Sequence, residues 1–492
     1  MKILYVSSEV YPFAKTGGLA DVSGALPPYI KKFGHDIRVM LPGYGTLDRQ
    51  RFRIRKVRNS PLVPIEVGGK TEYAGLSATN LPGSDVKTYF VENDHYYDRP
   101  ELYKNPVSNS DWDDNDQRFL FFNLAVLKSI EVLRWVPDVI HCNDWQSSLI
   151  PLLLKIHYSR LGIKSLLTIH NIAYQGIFES SFLSLWDFPE YLSYPYSGIE
   201  YWGKVNLLKS GIVYTDIINT VSPTYSHEIQ QSEEYGYGLE GVLRDRTRDI
   251  YGILNGVDYE TWSPETDSHI PYTFSKDKLE GKRKNKRQLL EDNGLIYDDR
   301  TPLIGIISRL VDQKGFDLIG DIIHKLMKLK LQIIILGTGE QKYHHFFTEL
   351  MARYPKKLVV HLKFDNTLAH RIEAGSDIFL MPSKYEPCGL NQMYSLKYGT
   401  VPIVRKTGGL ADTITEYNRV SKEGNGFVFE SYDSDSLYLA IKRALQLFRN
   451  EKEWKKLMRN GMEADYSWDR SAREYVKIYE TKFNKNQLLS VS

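Results

Sequence analysis

Short runs rich in Val, Ile and Leu alternate with longer amphipathic stretches along most of this 492-residue chain. In the first half the strand-like runs are KILYVSS, DIRVML, VKTYFVE, DVIHCND, SLLTIHN and DIINTVS, and the helix-like stretches include LADVSGALPPYIKKFG, QRFLFFNLAVLKSIEVL and SSLIPLLLKIHYS. The pattern begins again at PLIGIIS and ends at VPIVR. Because strands that alternate with helices form parallel sheets with helices on both faces, the chain is predicted to be an α/β protein with two doubly wound domains.

We place the boundary between these domains near residue 258, where ILNGVD indicates a turn. The predicted domains are 1–258 and 259–464. The segment 275–294, SKDKLEGKRKNKRQLLEDNG, is charged and poor in apolar residues, which favours a solvated linker or an exposed helix. Residues 465–492 contain the helix-like stretch SAREYVKIYETKF after the second sheet, so we expect this helix to cross back to the first domain.

Composition argues against several classes of function. Lysine and arginine total 63 against 61 acidic residues, a net charge of +2, which disfavours a dedicated nucleic-acid surface and polybasic membrane docking. Cys142 and Cys388 are too few for a disulfide framework or a four-cysteine zinc site. No run reaches the roughly 18 apolar residues of a membrane span, and MKILYVSSEV indicates a strand rather than a signal peptide. We expect no nucleic-acid or membrane partner and a cytosolic location, unless a plastid transit peptide is missing.

The heptapeptide KTGGLAD occurs twice, at 15–21 and at 406–412. In open α/β sheets ligands bind at the carboxyl ends of strands, and a glycine turn that opens a helix directs N–H groups at phosphate. The first copy follows KILYVSS, so Gly17 and Gly18 would allow close approach of a ligand while Lys15 adds a positive charge. The second copy follows VPIVR, where it either contacts ligand or only shapes the wall of a cleft between facing domains.

Two cations follow the first strand of the second domain. SRLVDQKGFD places Arg309 and Lys314 between PLIGIIS and a predicted helix. A guanidinium and an ammonium group together suit a diphosphate, which they could neutralise without a metal as it leaves. GTGE (337–340) and EPCGL (386–390) also follow strands of this domain, which favours a binding site over solvated surface charge.

The segment DWDDND (111–116) is the alternative, since many transferases hold Mn²⁺ or Mg²⁺ through an Asp-x-Asp pair. This segment directly precedes the apolar stretch QRFLFFNLAVL, where Asp and Asn are favoured as helix caps and first-turn residues. We therefore assign capping to it and predict no metal. No GxSxG, no GxxxxGK[ST] and no GxGxxG after the first strand is present, so hydrolase, P-loop and dehydrogenase interpretations lack their anchor residues.

Two aromatic segments interrupt the alternation, LSLWDFPEYLSYPYSGIEYWGKVN (183–206) and EEYGYGLEG (233–241). Aromatic loops of this kind suit stacking on the apolar faces of sugar rings, and they equally suit ordinary loop packing. The sequence leaves both possibilities open.

Several motifs, taken together and in order, resemble those of bacterial glycogen synthases and plant starch synthases. They are KTGGLADV, HCNDW, TIHNIAYQG, YGYGLEGVL, GILNGVD, SRLVDQKG and PSKYEPCGLNQMYSLKYGT, followed by the second KTGGLAD. The resemblance implies two doubly wound Rossmann-like domains that face an interdomain cleft, the GT-B fold. It also implies a retaining glucosyltransferase, without a cofactor, that moves glucose from ADP-glucose, less often UDP-glucose, to the non-reducing 4-hydroxyl of an α-1,4-glucan or malto-oligosaccharide.

The resemblance implies that seven residues of the N-terminal domain lie against the donor or its glucose: Lys15, Gly17, Gly18, Asp21, Asp144, His170 and Asn255. The His170 side chain would reach toward the 6-hydroxyl side of the glucose, and its carbonyl toward the anomeric carbon.

The resemblance assigns eight residues of the C-terminal domain to the donor: Arg309, Lys314, Phe364, Glu386, Cys388, Gly389, Leu390 and Asn391. Arg309 and Lys314 would hold the diphosphate, and Glu386 would bind sugar hydroxyls. The helix opened by Gly389 would cap phosphate, and Phe364 would stack on adenine. The predicted catalytic residues are Lys15, His170, Arg309, Lys314 and Glu386.

Some positions depart from the family pattern. Asn143 and Gln146 stand where many bacterial relatives have histidine, and Asn391 replaces a common threonine. The wider clan often has a second glutamate eight residues after the first, where this chain has Tyr394. No carboxylate pair has a secure claim to double displacement, so the resemblance favours front-face substitution. The alternatives are a catalytically silent glucan-binding or priming scaffold, a UDP-glucose-preferring synthase, and a phosphorolytic enzyme that would hold pyridoxal phosphate.

Overall fold

The structure is a computed structural model that describes residues 1–108 and 110–483. The chain divides into two compact units. The first contains Met1–Val221, Ser226–Gly256 and the chain from Trp468 onward; the second contains Ser222–Tyr225 and Val257–Ser467. The domain limits that we drew at residues 258 and 464 stay predictions.

Strands occur wherever the sequence has short apolar runs, and at some places where it does not. The strands are β1 (Lys2–Val6), β2 (Asp36–Pro42), β3 (Arg55–Lys56), β4 (Val63–Val67), β5 (Lys70–Asn80), β6 (Lys87–Glu92), β7 (Val139–Asn143), β8 (Lys164–Ile169), β9 (Ile177–Glu179), β10 (Glu200–Tyr201), β11 (Lys204–Asn206), β12 (Ile217–Thr220), β13 (Ile250–Gly252), β14 (Leu303–Ile307), β15 (Gln332–Leu336), β16 (Leu358–His361), β17 (Ile378–Met381), β18 (Val401–Arg405) and β19 (Phe427–Phe429).

Helices fill most of the connections between parallel strands. They are α1 (Gly18–Lys32), α2 (Asp94–Tyr97), α3 (Asn115–Val132), α4 (Ile150–Ile156), α5 (Leu207–Tyr214), α6 (Pro223–Glu228), α7 (Glu233–Gly236), α8 (Glu240–Asp245), α9 (Glu280–Asp292), α10 (Phe316–Leu326), α11 (Gln341–Arg353), α12 (Asn366–Gly375), α13 (Asn391–Lys397), α14 (Gly408–Thr413), α15 (Ser434–Phe448), α16 (Glu451–Glu463) and α17 (Trp468–Lys482). α17 packs against α1 within the first unit.

The first unit is built on one large sheet with the order β13-β12-β8-β7-β1-β2-β6-β5-β3, and β4 pairs with β5. Every pair from β13 to β6 is parallel. β3, β4 and β5 extend this sheet in antiparallel fashion, an extension that the sequence did not predict. β10, β11 and β9 form a separate small antiparallel sheet.

The second unit has an entirely parallel sheet in the order β16-β15-β14-β17-β18-β19. Its central strands are buried on both faces, as β15 with all five residues buried illustrates, which explains their continuous apolar sequence. α10 covers this sheet with Phe316, Ile319, Ile322, Ile323 and Leu326, spaced as one face of a helix.

Both parallel sheets reverse direction beside their first strand. In the first unit the chain moves from β1 outward through β2 to β6 and then returns to place β7 on the other side of β1. In the second unit it moves from β14 through β15 to β16 and returns with β17. The crevice at the carboxyl ends of strands at such a switch point is where open α/β sheets bind ligands.

The charged segment 275–294 is not a solvated linker, which corrects one expectation. It contains α9, whose Lys282 and Lys286 are each 5% exposed. Lys282 donates to the Thr400 hydroxyl at 2.7 Å, and Lys286 pairs with Asp377 at 2.7 Å. Composition alone favours exposure, but these polar partners from distant parts of the chain compensate the buried charges.

In the part of the chain that the structure describes, no helix has both the length and the apolar character needed to cross a membrane.

Candidate active site

The loop between β1 and α1 carries the first KTGGLAD copy and is held by a buried carboxylate. Glu9, only 4% exposed, accepts hydrogen bonds from the backbone N–H of Thr16 at 2.5 Å and of Gly17 at 3.1 Å. The hydroxyl groups of Thr16 and Tyr103 also donate to it, at 2.6 and 2.9 Å. These two amides are therefore taken by Glu9 rather than offered to phosphate as the glycine turn predicts. Sequence reasoning missed Glu9 entirely.

Lys15 and Asp21 meet on the outer side of this loop. Lys15 Nζ lies 2.6 Å from Asp21 Oδ1 and 5.4 Å from the centre of the Tyr11 ring. Burial raises the pKa of Asp21 above its ordinary value, and the Lys15 ammonium opposes that shift. A Cβ atom placed on Gly17 or Gly18 would meet no atom within 4 Å. The backbone beside Lys15 is thus open to a ligand.

Asp144 and His170 follow the neighbouring strands β7 and β8, so one edge of the sheet holds both. Asp144 Oδ1 accepts the backbone N–H of His170 at 2.7 Å. Asp144 has φ of 53°, which is uncommon for a residue other than glycine. Burial raises the pKa of Asp144 to about 7, although hydrogen bonds from the amides of His170 and Asn171 lower it. A carboxyl group that titrates near neutral pH therefore lies at the first switch point.

Asn143 fixes the protonation of His170. Its amide nitrogen donates to the Val6 carbonyl at 2.9 Å, which leaves Oδ1 to accept from the Tyr5 hydroxyl at 3.0 Å and from His170 Nε2 at 3.0 Å. His170 Nε2 must then carry a hydrogen. Burial lowers the pKa of His170 to about 3, so the ring is neutral at physiological pH. Asn143, where the sequence departs from the family pattern, therefore takes part in the hydrogen bonding of the site.

Asn255 lies on the segment after β13 and is 6% exposed. Its Oδ1 atom is buried and has no hydrogen-bond partner among residues 1–108 and 110–483. A buried acceptor without a partner costs free energy, so this amide is suited to a ligand that completes it.

The second switch point joins Lys314 and Glu386. Lys314 Nζ lies 2.6 Å from Glu386 Oε2, and the Ser383 hydroxyl donates to the same oxygen at 3.0 Å. Glu386 is 6% exposed. The two loops approach so closely that a Cβ on Gly315, at φ of 73°, would lie 2.1 Å from the Pro382 carbonyl oxygen. Lys314 is therefore already paired with Glu386.

Arg309 differs from Lys314 in its surroundings. It follows β14 directly and is exposed. Its guanidinium makes no hydrogen bond and no ion pair with any other residue that the structure describes. Arg309 is consequently an exposed positive charge just beyond the carboxyl end of β14.

The donor residues predicted after β17 form a sharp turn into α13. Gly389 has φ of 69°, and Cys388 is buried. The Asn391 amide donates to the Ile307 carbonyl at 2.8 Å, which ties the start of α13 to the end of β14. Leu390 immediately precedes the helix. Phe364, after β16, is 83% exposed, so one whole ring face is available for stacking.

The second KTGGLAD copy lies behind Glu386. The Gly409 N–H donates to the Glu386 carbonyl at 3.1 Å. A Cβ on Gly408 would lie 2.0 Å from the Glu386 carbonyl oxygen, and one on Gly409 would lie 2.0 Å from that of Cys388. Asp412 accepts from the hydroxyl of Ser222 at 2.6 Å. This copy therefore supports the backbone of Glu386 instead of facing open space.

Tyr394 makes an aromatic stack at the place where the wider clan has a glutamate. The Trp262 ring lies between Tyr394 and His370, with centroid separations of 4.0 and 3.7 Å and interplanar angles of 4° and 9°. His370 Nδ1 lies 2.8 Å from the buried carboxylate of Asp267. Tyr394 thus packs in an aromatic stack, which offers no carboxylate at that position.

The aspartates of DWDDND lie at the start of α3, where their capping role is narrower than predicted. Asp114 occupies the N-cap position of α3 without a capping hydrogen bond, because Arg99 holds its carboxylate at 2.5 Å. Asp116 lies in the first turn of α3, where negative charge is favourable. Residues 1–108 and 110–483 contain no group of three or more His, Cys, Asp or Glu side chains arranged to hold a metal.

Sequence comparison with known proteins identifies full-length relatives. Residues 2–245 match the family model of the starch synthase catalytic domain, and residues 290–461 match that of glycosyl transferases group 1. The chain is 47% identical to glycogen synthase of Thermotoga maritima, over 99% of both chains. It is 46% identical to glycogen synthase of Thermosipho africanus over 99% of this chain and 100% of that one. For glycogen synthase of Geotalea daltonii the identity is 45%, over 97% and 98%.

Comparison with solved structures also identifies similar proteins. The catalytic domain of starch synthase IV from Arabidopsis thaliana, bound to ADP and acarbose, superposes with a TM-score of 0.88 at 31% identity, over 98% of this chain and 99% of that chain. Sucrose-phosphate synthase from Thermosynechococcus elongatus superposes with a TM-score of 0.58 at 14% identity over the full length of both, a likeness that shows the fold alone.

The predicted α/β fold class of GT-B type, the family resemblance and the enzyme class are confirmed by these matches. The chain is a glycosyltransferase that transfers glucosyl units in glycogen or starch synthesis, and it belongs to the family of bacterial glycogen synthases and plant starch synthases.

Proposed function

We propose that this chain moves glucose from ADP-glucose to the non-reducing 4-hydroxyl of an α-1,4-glucan or malto-oligosaccharide, with retention of configuration. The observation that carries this proposal is the exposed Arg309 in the β14–α10 connection, the same connection that holds Lys314 paired with the buried Glu386. A free cation next to a lysine–carboxylate pair suits a ligand that is anionic at one end and rich in hydroxyl groups at the other. The ADP bound to the Arabidopsis starch synthase supports adenine as the base. The bacterial origin of the curated relatives favours the cytoplasm over a plastid.

We assign the donor chiefly to the second unit. Arg309 and Lys314 hold the diphosphate, and Glu386 accepts hydrogen bonds from glucose hydroxyls. The turn of Cys388, Gly389, Leu390 and Asn391 offers backbone amides to phosphate, and Phe364 stacks on the adenine. The exposed ring of Phe364 and the sharp turn at Gly389 support these roles.

We assign Lys15, with Gly17, Gly18 and Asp21, to the donor side of the reaction as well. The open surface above both glycines supports this role. Asp144, His170 and Asn255 serve the transferred glucose. A neutral His170 whose Nε2–H is taken by Asn143 can still accept a hydrogen bond at Nδ1, and the partnerless Asn255 oxygen can accept one from a sugar hydroxyl.

The reaction then proceeds as a front-face substitution. The bond between the anomeric carbon and the diphosphate oxygen breaks, the acceptor O4 bonds to the same face of that carbon, and the O4 proton passes to the departing phosphate. Lys314 is neutralised by Glu386 before donor binds, so Arg309 supplies the net positive charge at the start. As negative charge grows on the diphosphate, both cations stabilise the transition state more than the ground state.

A donor competition assay tests the proposal. Purified protein, glycogen and equal concentrations of ADP-[¹⁴C]glucose or UDP-[¹⁴C]glucose should give faster incorporation from the adenine nucleotide, with the label released as α-glucose residues by a glucosidase. Faster incorporation from UDP-glucose would overturn the donor assignment. Incorporation from neither would favour a silent scaffold.

The same assay on Lys314→Ala examines the leaving-group role. Loss of this donor should lower kcat by roughly 10²–10³ while the protein stays folded. Lys330→Ala is the control, because Lys330 pairs with Asp298 at 2.7 Å on the surface of the same unit. Turnover in Lys314→Ala within twofold of that control would remove Lys314 from the mechanism.

A further inference from the structure

The aromatic segment 183–206 separates into a packed part and an exposed part. Phe188 of this segment stacks on Phe182 at a centroid distance of 5.7 Å, and Phe182 stacks on Phe178 at 6.2 Å, which is ordinary loop packing. Tyr196 and Trp202, by contrast, are 98% and 88% exposed. Among the described residues they are the two most exposed aromatic side chains, ahead of Phe364. Loop packing therefore accounts for Phe188, whereas the exposed rings of Tyr196 and Trp202 remain available for stacking on a sugar.

Trp202 occupies the tip of a hairpin whose geometry disfavours it. β10 and β11 pair Tyr201 with Lys204, so Trp202 and Gly203 form a two-residue turn. Their φ angles are 52° and 80°, the pattern of a type I′ turn that prefers Asn-Gly. A bulky aromatic residue at positive φ carries a conformational cost, and its ring gains no packing in return. This combination indicates that the ring serves a ligand.

The hairpin is rigidly joined to the segment that carries His170. The Gln175 side chain accepts from the Asn206 amide at 2.6 Å and donates to the Tyr237 carbonyl at 3.0 Å. Asn206 in turn caps α5 through the Lys209 N–H at 2.9 Å. Gln175 and Asn206 are both buried. The base of the hairpin is thus fixed, and Trp202 is held about 13 Å along extended chain from Asn206.

We propose that Trp202, with Tyr196, is an accessory platform for the growing α-glucan chain, outside the catalytic residues. The proposal rests on the proposed function, since it assumes that the acceptor is an α-1,4-glucan. A polymeric acceptor extends beyond the residues that handle its last glucose, and the apolar faces of its sugar rings stack on aromatic rings. Lys204, the cation beside the tip, pairs with Glu179 at 2.7 Å, and the Glu200 carboxylate accepts the Gly203 N–H at 2.9 Å, which suits a neutral polymer rather than an anionic one. Because the backbone at the base of the hairpin is held, binding has chiefly the side-chain torsions of Trp202 to immobilise.

The test variant is Trp202→Asn, which removes the ring and supplies the Asn-Gly sequence that the turn prefers. We expect glycogen to retard this variant less in affinity gels without donor, with an apparent Kd weaker by roughly three- to tenfold. The KM for glycogen should rise by a similar factor, while kcat/KM for maltotriose stays within twofold. Trp202→Phe should recover most of the affinity, and Tyr196→Ala should weaken it independently of the hairpin.

Tyr73→Ala is the matched control, because Tyr73 is also exposed, at 53%, and lies on β5 of the same unit. Unchanged glycogen retardation in Trp202→Asn would overturn the platform, as would an equal loss with maltotriose or a change in self-association by sedimentation. Failure of the proposed function is distinguishable, because wild-type protein would then incorporate no glucose while the gel assay still reports binding.

Discussion

The two KTGGLAD copies have the same seven residues and opposite surroundings. In the first copy, Gly17 and Gly18 border open space, and the loop is held by the Glu9 carboxylate. In the second, Gly408 and Gly409 press against the backbone of the EPCGL segment and leave no room for a side chain. The glycines of the first copy keep a surface clear, and those of the second permit close packing of two loops.

The lysine and the aspartate at the ends of the heptapeptide also have different partners in the two copies. Lys15 and Asp21 pair with each other inside the first copy. In the second copy Lys406 pairs with Glu430 at 2.8 Å on the surface, and Asp412 accepts hydrogen bonds from Ser222 and other groups. An identical peptide therefore borders open space after β1 of one sheet and supports a neighbouring loop after β18 of the other. Only the neighbouring residues distinguish these roles.

The largest expected difference between the copies is in catalysis. Lys15→Ala should lower kcat by roughly 10²–10³, because the lost ammonium is one that the proposed mechanism places against the donor. Lys406→Ala should leave kcat within twofold, since its surface ion pair with Glu430 contributes little. Steady-state kinetics with saturating donor and glycogen measure both. Equal effects in the two variants would remove the functional distinction between the copies.

For stability, a substitution in the second copy should have the larger effect. In Gly409→Ala the new Cβ would lie 2.0 Å from the Cys388 carbonyl oxygen, and backbone atoms cannot move aside cheaply. We expect the free energy of unfolding of the second unit to fall by about 1–3 kcal/mol. Gly18→Ala, with nothing within 4 Å of its Cβ, should leave stability unchanged or slightly raised. Urea denaturation followed by tryptophan fluorescence compares the pair, and a larger loss in Gly18→Ala would contradict the packing argument.

Much of this architecture follows from sequence, and the exceptions share a physical cause. The parallel strands were predictable because strands buried on both faces need continuous apolar residues, as in β15. β5, with the sequence KTEYAGLSATN, has buried, half-buried and exposed positions mixed along its length and lacks that signal. Glu9 was not predictable, since its role depends on a loop conformation that folds Thr16 and Gly17 onto it. Pairings between distant residues are decided by the fold and leave no local pattern.

Family motifs named the site residues without revealing their partners. The sequence predicts that Arg309 and Lys314 hold a diphosphate together, and it does not reveal that Glu386 neutralises Lys314. The same holds for the second KTGGLAD copy, whose role required knowing what lies behind it. Sequence therefore predicts which residues meet at a switch point, and the fold decides which charges remain unpaired.

A smaller loss of stability should follow when Asp412, the aspartate of the second copy, is replaced. The Asp412 carboxylate accepts from the Thr224 N–H at 3.0 Å and from the Thr224 hydroxyl at 2.6 Å. Asp412→Ala removes the carboxylate that accepts both hydrogen bonds, so the free energy of unfolding of the second unit should fall by about 1–2 kcal/mol. Hydrogen exchange at the Thr224 amide should quicken in this variant. Asp21→Ala is the control, and quickened exchange at Thr224 there would show a general loosening instead.

The smallest effect concerns the pH dependence of stability in the first copy. Burial raises the pKa of Asp21, so the folded protein binds that proton more tightly than the unfolded chain. The resulting stabilisation is complete below the ordinary aspartate pKa of about 3.9 and is lost as pH rises through the raised value. Asp21→Asn cannot titrate, so the Tm of wild type minus that of the variant should decrease between pH 4 and pH 7. Gly18→Ala should give a constant difference over the same range. A difference that grows with pH would mean that attraction to Lys15 outweighs burial, and that the first copy holds an ionic clamp rather than an open, weakly paired surface.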